Sequence, residues 1–219
     1  MQMKGRGSVR VIGLTGGIAC GKSNVSDALG QLGAVIVDGD RLSRQLTAEG
    51  GAALPEIRKA FGAEVFTQGG KLDRKALARA IFADSGARER LDGIMQPMIL
   101  ELIRTEMEHA QKCGAQVCVL DMPLLYEKRL DLLCDTVWCV ALPEETQLSR
   151  LMARDGLSVE EARQRMASQL PAAEKARRAD VVIDTSGSVE ETRAKIPPLY
   201  RWECRLAERD GEQDAAVGR

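Results

Sequence analysis

No apolar run in the sequence approaches the roughly 20 residues needed to cross a bilayer; stretches such as residues 34–37 and 117–120 fall far short. Residues 1–10 also lack the apolar centre of a secretory signal, so the expectation is a cytoplasmic protein with no membrane partner. Net charge is almost absent. With 31 basic residues against 32 acidic ones, a balance of −1 gives no general attraction to nucleic acid, and any affinity for phosphate must be local. Histidine occurs once, as His109 on a polar helical stretch, and reads as ordinary surface. No two of the six cysteines have CxxC spacing or lie near histidines as in a zinc site. They read as reduced thiols, Cys118 and Cys139 as small hydrophobes within strand-like runs, and Cys20 as a candidate for oxidation. The sequence says nothing of oligomeric state.

What is present alternates between strand and helix signals. Residues 9–14 form a short apolar run followed by Thr15-Gly16-Gly17, after which Val25, Leu29 and Leu32 recur at helical spacing. A second apolar run, 34–37, stops at Asp38-Gly39-Asp40. Helical patterns then dominate to about residue 112, with Leu91, Met95, Met98, Leu102 and Ile103 as one apolar stripe whose methionines read as core filling. Strand signals return at 117–120, 137–142 and 181–183. Between the last two, residues 148–170 are helical and broken near Asp155-Gly156, where Ser158 and Glu161 suit a capping box. Such alternation implies a parallel sheet covered on both faces. Pro197-Pro198 is expected to interrupt any final helix, and residues 207–219 are polar enough to form a disordered tail.

Gly16-Gly17-Ile18-Ala19-Cys20-Gly21-Lys22-Ser23 satisfies G-x-x-x-x-G-K-S between a predicted strand and a predicted helix, the context this phosphate-binding motif requires. Its glycines let successive N–H groups turn toward phosphate oxygens, and the helix N-terminus adds partial positive charge, so that residues 16–23 and Asn24 are the expected nucleotide-binding residues. Lys22 is placed to reach the β- and γ-phosphates, and Ser23 to bind Mg2+. Because Asn24 is the only asparagine, the Asn-Lys-x-Asp guanine reader of GTPases is excluded, which favours ATP. At the predicted end of the second strand stand Asp38 and Asp40, one of which could accept a proton from a hydroxyl acceptor. Asp121, ending the third run, could hold Mg2+ through water.

These segments together resemble the dephospho-coenzyme A kinase family over roughly residues 9–187. Thr15-Gly16-Gly17-Ile18 opens the phosphate loop as in that family. Val37-Asp38-Gly39-Asp40 with Ser43-Arg44 is similar to its Asp-x-Asp and Ala-Arg segment, and Leu72-Asp73-Arg74 with Leu77 and Ile81-Phe82 to its Leu-x-Arg helix. Asp121-Met122-Pro123-Leu124-Leu125-Tyr126-Glu127 resembles its Pro-Leu-Leu-Phe-Glu signature, and Gln147, Arg150, Arg154, Gln169, Lys175 and Ala179-Asp180 follow in order. The resemblance implies transfer of the ATP γ-phosphoryl group to the ribose 3′-hydroxyl of dephospho-coenzyme A, with Asp38 as base. It also implies acceptor contacts from Asp38, Asp40, Arg44, Arg74, Pro123 and Leu124. Three positions depart from the family pattern: Gln96 stands before Pro97 where histidine is usual, Ala19 where glycine is common, and Thr185 where asparagine is common.

Residues 146–178 carry seven basic and four acidic side chains, a local +3 that suits a lid closing over the triphosphate. Arg150 and Arg154, one helical turn apart, are its candidate phosphate contacts and catalytic cations. The expected architecture is an α/β P-loop NTPase fold of three layers, α/β/α. Residues 9–44, 113–145 and 179–206 form the nucleotide-binding core, 45–112 a helical acceptor-binding insertion and 146–178 the helical lid. The residues alone leave open another P-loop small-molecule kinase, acting on a nucleoside monophosphate or sugar acid, or a regulator that binds ATP without transferring it.

Overall fold

Five short runs rich in branched aliphatic residues build one sheet: β1 (Arg10–Gly16), β2 (Val35–Asp38), β3 (Val117–Asp121), β4 (Thr136–Ala141) and β5 (Val181–Asp184). A computed structural model describes residues 9–217. The strands lie in the order β2-β3-β1-β4-β5, with β1 parallel to β3 and β4, and β4 parallel to β5. Strands β1 and β3 are buried along nearly their whole length, as a sheet covered on both faces requires. On one face Ile12, Leu14, Val119 and Trp138 pack with Val25 and Leu29 of α1 (Lys22–Gln31) and Ile196 and Tyr200 of α9 (Val189–Val217). On the other face of β1, a Cβ on Gly13 would lie 2.7 Å from Cys134 Sγ and 2.8 Å from Leu125 Cδ2, so the segment after β3 rests directly on the strand.

This strand order creates the site. From β1 the chain crosses β3 to reach β2; from β3 it crosses β1 to reach β4. The direction of winding reverses between β1 and β3, and the crevice at the carboxyl ends of such a pair is where doubly wound sheets bind ligands. Residues 16–23 follow β1 and Asp121-Met122-Pro123 end and follow β3, so both border that crevice.

Beyond β4 come α6 (Glu144–Asp155), α7 (Val159–Ala167) and α8 (Ala172–Arg178). The break between α6 and α7 falls at Gly156, and Ser158 and Glu161 form the reciprocal capping box that their spacing predicts.

The last helix departs from expectation. Neither Pro197 nor Pro198 ends it, and α9 continues through residues expected to form a tail, as far as Val217. Local propensity loses here to tertiary contacts. Ile196 and Tyr200 are buried on either side of the two prolines, and Glu203, also buried, takes Arg10 Nε at 2.5 Å and Trp138 Nε1 at 3.2 Å. Gln116 donates to Glu208 at 3.0 Å, and Arg10 reaches Asp210 at 3.2 Å, so polar anchors extend past residue 207.

The chain divides into two compact units. The second is Asp38–Glu106, and the first runs to Val37 and resumes at Met107. These limits differ from 45 and 112. Helix α2 (Gly39–Leu46) sends Leu46 into the core formed with Ile57 and Phe61 of α3 (Leu54–Phe61), Leu77 of α4 (Arg74–Ala83) and Met95 of α5 (Ser85–Lys112). Met95 is thus core, as its place on the apolar stripe predicts. Asp38 and Asp73 cap α2 and α4, each accepting two backbone N–H groups.

Candidate active site

The loop after β1 takes its shape from alternating backbone conformations. Gly21 has φ +81° and immediately precedes α1; Ala19, two residues earlier, has φ +61°. For a residue with a Cβ this left-handed conformation costs about 1–2 kcal/mol, which accounts physically for the expectation of glycine at position 19. Helix α1 has no side chain capping its N-terminus and no acidic residue in its first turn. Its leading N–H groups and partial positive charge are therefore directed at the loop without a built-in carboxylate competitor.

Two buried side chains grip this loop from outside. Gln147 of α6 donates from Nε2 to the Ile18 carbonyl at 2.9 Å, and Thr185, just past β5, donates from Oγ1 to the Cys20 carbonyl at 2.7 Å. Gly17 permits the first contact, because a Cβ there would lie 2.5 Å from Gln147 Nε2. Cys20 itself is buried, and desolvation raises its thiol above the usual range. Cys113 is exposed. Iodoacetamide at pH 8 is therefore expected to modify Cys113 in the folded protein and to reach Cys20 at least about tenfold more slowly until denaturant is added. Peptide mapping by mass spectrometry reads the order, and equal rates would show Cys20 to be accessible.

Lys22, the first residue of α1, pairs with Asp121 at the end of β3, and both side chains are largely shielded. The residues expected to hold phosphate and Mg2+ thus meet across the β1–β3 crevice. Immediately beyond, the Pro123 carbonyl accepts from Thr15 Oγ1 at 3.3 Å and from Lys175 Nζ at 2.5 Å. Lys175 is fully buried on α8. It also lies 2.9 Å from Glu127 Oε1, which in turn accepts the Leu170 N–H at 2.8 Å. This lysine, one of the basic residues counted toward the lid, is therefore an internal tie between α8 and the segment after β3. Leu124 lies in that same segment, and its carbonyl accepts the Lys128 N–H at 3.0 Å. Burial pushes the Tyr126 hydroxyl up to about 12.

The two candidate lid arginines are not equivalent. Arg154 forks onto Asp155, at 2.8 Å from Nε and 3.1 Å from Nη2, and Arg165 joins the same carboxylate at 2.7 Å. These guanidinium groups hold the Asp155 carboxyl below the usual range, the Arg154 hydrogen bond most of all. Arg150 lies one turn after Gln147 on α6, near enough to the loop for its charge to act on the Cys20 thiol. Arg177 and Arg178 share Glu174 on a solvated face.

Asp38, Asp40, Arg44 and Arg74 all belong to the second unit. Asp38 Oδ1 accepts the N–H groups of Asp40 (2.8 Å) and Arg41 (3.1 Å), leaving Oδ2 3.9 Å from Arg44 Nη2. The guanidinium of Arg74 donates to Thr47 Oγ1 at 2.7 Å.

A family model described as dephospho-CoA kinase matches residues 10–191. The chain belongs to the dephospho-CoA kinase family. The dephospho-CoA kinase of Syntrophotalea carbinolica is 47% identical over 189 residues, covering 86% of this chain and 90% of its own. Among solved structures, a Thermus thermophilus protein superposes with a TM-score of 0.76 at 34% identity, covering 89% of this chain and 98% of its own. The dephospho-CoA kinase of Campylobacter jejuni gives 0.67 at 28%, with 87% and 95% covered.

The family motifs expected to bind nucleotide thus lie in the first unit, while those expected to bind acceptor are split: Pro123 and Leu124 in the first, the rest in the second. Sequence reasoning placed Gln147 among the ordered lid residues and noted Thr185 as a departure from the family pattern, but foresaw neither contact with the loop. One signal was available for Gln147. It lies four residues before the buried Leu151 and so is a polar residue on the apolar stripe of α6.

Proposed function

We infer that this chain catalyses transfer of the γ-phosphoryl group of ATP to the ribose 3′-hydroxyl of dephospho-CoA, giving CoA and ADP in the final step of CoA synthesis. The match of the family model across residues 10–191 carries this reading. The geometry of the loop supports it, since a phosphate cradle and a carboxylate border the crevice between β1 and β3.

In this mechanism the loop N–H groups that donate to no backbone carbonyl among the described residues, those of Ala19 and Gly21 among them, hold the β- and γ-phosphates, and Lys22 balances their charge. Asp38 Oδ2 takes the proton of the 3′-hydroxyl as the hydroxyl oxygen bonds to the γ-phosphorus. The bond to the β–γ bridging oxygen breaks, and that oxygen leaves with ADP. Arg150, whose charge reaches the loop at Cys20, offsets the charge that spreads over the transferring group. Arg154 has a carboxylate partner in Asp155 and serves transfer through lid structure instead. Arg44 and Arg74, with Asp40, Pro123 and Leu124, receive the acceptor, whose diphosphate suits planar guanidinium groups.

Among the described residues no group of three or more His, Cys, Asp and Glu side chains could hold a metal by itself. That fits Mg2+, which commonly uses one or two protein oxygens and completes its shell with nucleotide phosphates and water. Ser23 and Asp121 are the residues that would hold it, and there it would offset the negative charge of the triphosphate during transfer. No helix among the described residues is long and apolar enough to cross a membrane.

The test is a purified-protein assay with ATP, Mg2+ and a panel of acceptors. Stoichiometric ADP and CoA from dephospho-CoA are expected; turnover of a nucleoside monophosphate or a sugar acid, with none of dephospho-CoA, would overturn the assignment.

A further inference from the structure

The geometry points to Gln147 and Thr185 as positioning residues that aim the N–H groups of the phosphate loop. This inference rests on the reading that residues 16–23 hold phosphate. In a trans peptide the carbonyl and the following N–H point in opposite directions. Gln147 Nε2 draws the Ile18 carbonyl outward at 2.9 Å, and Thr185 Oγ1 draws the Cys20 carbonyl outward at 2.7 Å. The N–H groups on the far side of these two peptides belong to Ala19 and Gly21, the two loop residues with positive φ. Alternation of right- and left-handed conformations with N–H groups converging is the geometry of an anion nest. Among the described residues, neither N–H donates to a backbone carbonyl.

The two supports come from different elements, the first turns of α6 and the exit of β5, and both side chains are at most 4% exposed. Thr185 is further fixed by the Ala141 carbonyl, 3.3 Å from its hydroxyl. The hydroxyl of Thr185 therefore does a specific job at a position where the family pattern favours asparagine. Gln147 has a second effect. By tying α6 to the loop three residues before Arg150, it fixes where that arginine stands relative to the phosphates.

ADP is the probe, with its dissociation constant measured by calorimetry. Thr185→Val keeps the shape and removes the hydroxyl; Gln147→Met keeps the length and removes the donor. Each is expected to weaken ADP about tenfold, the effect of losing one buried hydrogen bond, while Thr185→Ser stays within about twofold of the parent. Amide resonances separate aiming from general stability. The shift that ADP causes at Ala19 should diminish selectively in Gln147→Met, and that at Gly21 in Thr185→Val. ADP affinity within about twofold of the parent in both Thr185→Val and Gln147→Met, or a serine variant as weak as the valine one, overturns the inference. Should the valine variant fail to fold, Gln147→Met and Thr185→Ser decide by the same criteria. Binding of ADP by the parent tests the phosphate-site reading itself; only the differences among variants test the positioning.

Discussion

Replacing Lys22 with methionine is expected to lower the turnover number by about 10²–10³ and to raise the KM for ATP. Methionine retains the stem and removes the one cation that begins α1. A preorganised charge aimed at the developing charge of the transition state is commonly worth that factor. The substitution also has a second, separable consequence. Asp121, with only 10% of its side chain exposed, loses its partner in the crevice, and a shielded carboxylate left alone destabilises the fold. Pairing Lys22→Met with Asp121→Asn should restore the thermal midpoint and not the activity. Initial rates and thermal unfolding read the two effects, and a single variant within about threefold of parental turnover would remove Lys22 from the mechanism.

Asp38→Asn is expected to lower the turnover number by about 10²–10⁴ with little change in the KM for ATP. The structure makes this a clean substitution. Oδ1 caps α2 through the N–H groups of Asp40 and Arg41, and an asparagine oxygen caps as well as an aspartate one. What disappears is the proton acceptor at Oδ2, replaced by an amide that faces Arg44. Asp38→Ala should lose the same activity and, in addition, about 1 kcal/mol of stability through the missing cap. Rapid-quench measurement of the first turnover separates the chemical step from product release. Parental rates in the asparagine variant would exclude Asp38 as the base.

The parts of the fold that were legible in the sequence are those set by neighbours in the chain. The loop between β1 and α1 followed from glycine spacing, and the α6–α7 break from Gly156, Ser158 and Glu161. Each feature is settled within a few residues. What was not legible depends on partners far away in sequence. Pro197 and Pro198 argue locally for a broken helix, but Glu203 finds Arg10 and Trp138, and the helix continues. Counting charge in the lid could not show that Arg154 spends its fork on Asp155 or that Lys175 points inward to Pro123 and Glu127. The candidate site was legible in the same uneven way. The residues proposed to face phosphate form one continuous motif, whereas the side chains that brace that motif, Gln147 and Thr185, lie more than a hundred residues further on.

The central position of β1 also shapes how the molecule is made. Arg10 pairs with Val117 and Ile12 with Thr136, so β1, once outside the ribosome, finds neither neighbour until more than a hundred further residues have been synthesised. At elongation rates of about 5–20 residues per second, that delay lasts about 5–20 s. Throughout it Val11, Ile12 and Leu14 have no sheet to enter, while the chain emerging in the meantime is mainly Asp38–Glu106, whose core is drawn from its own helices. Strand β1 is thus a nascent segment with a long exposure to aggregation and a clear use for a chaperone.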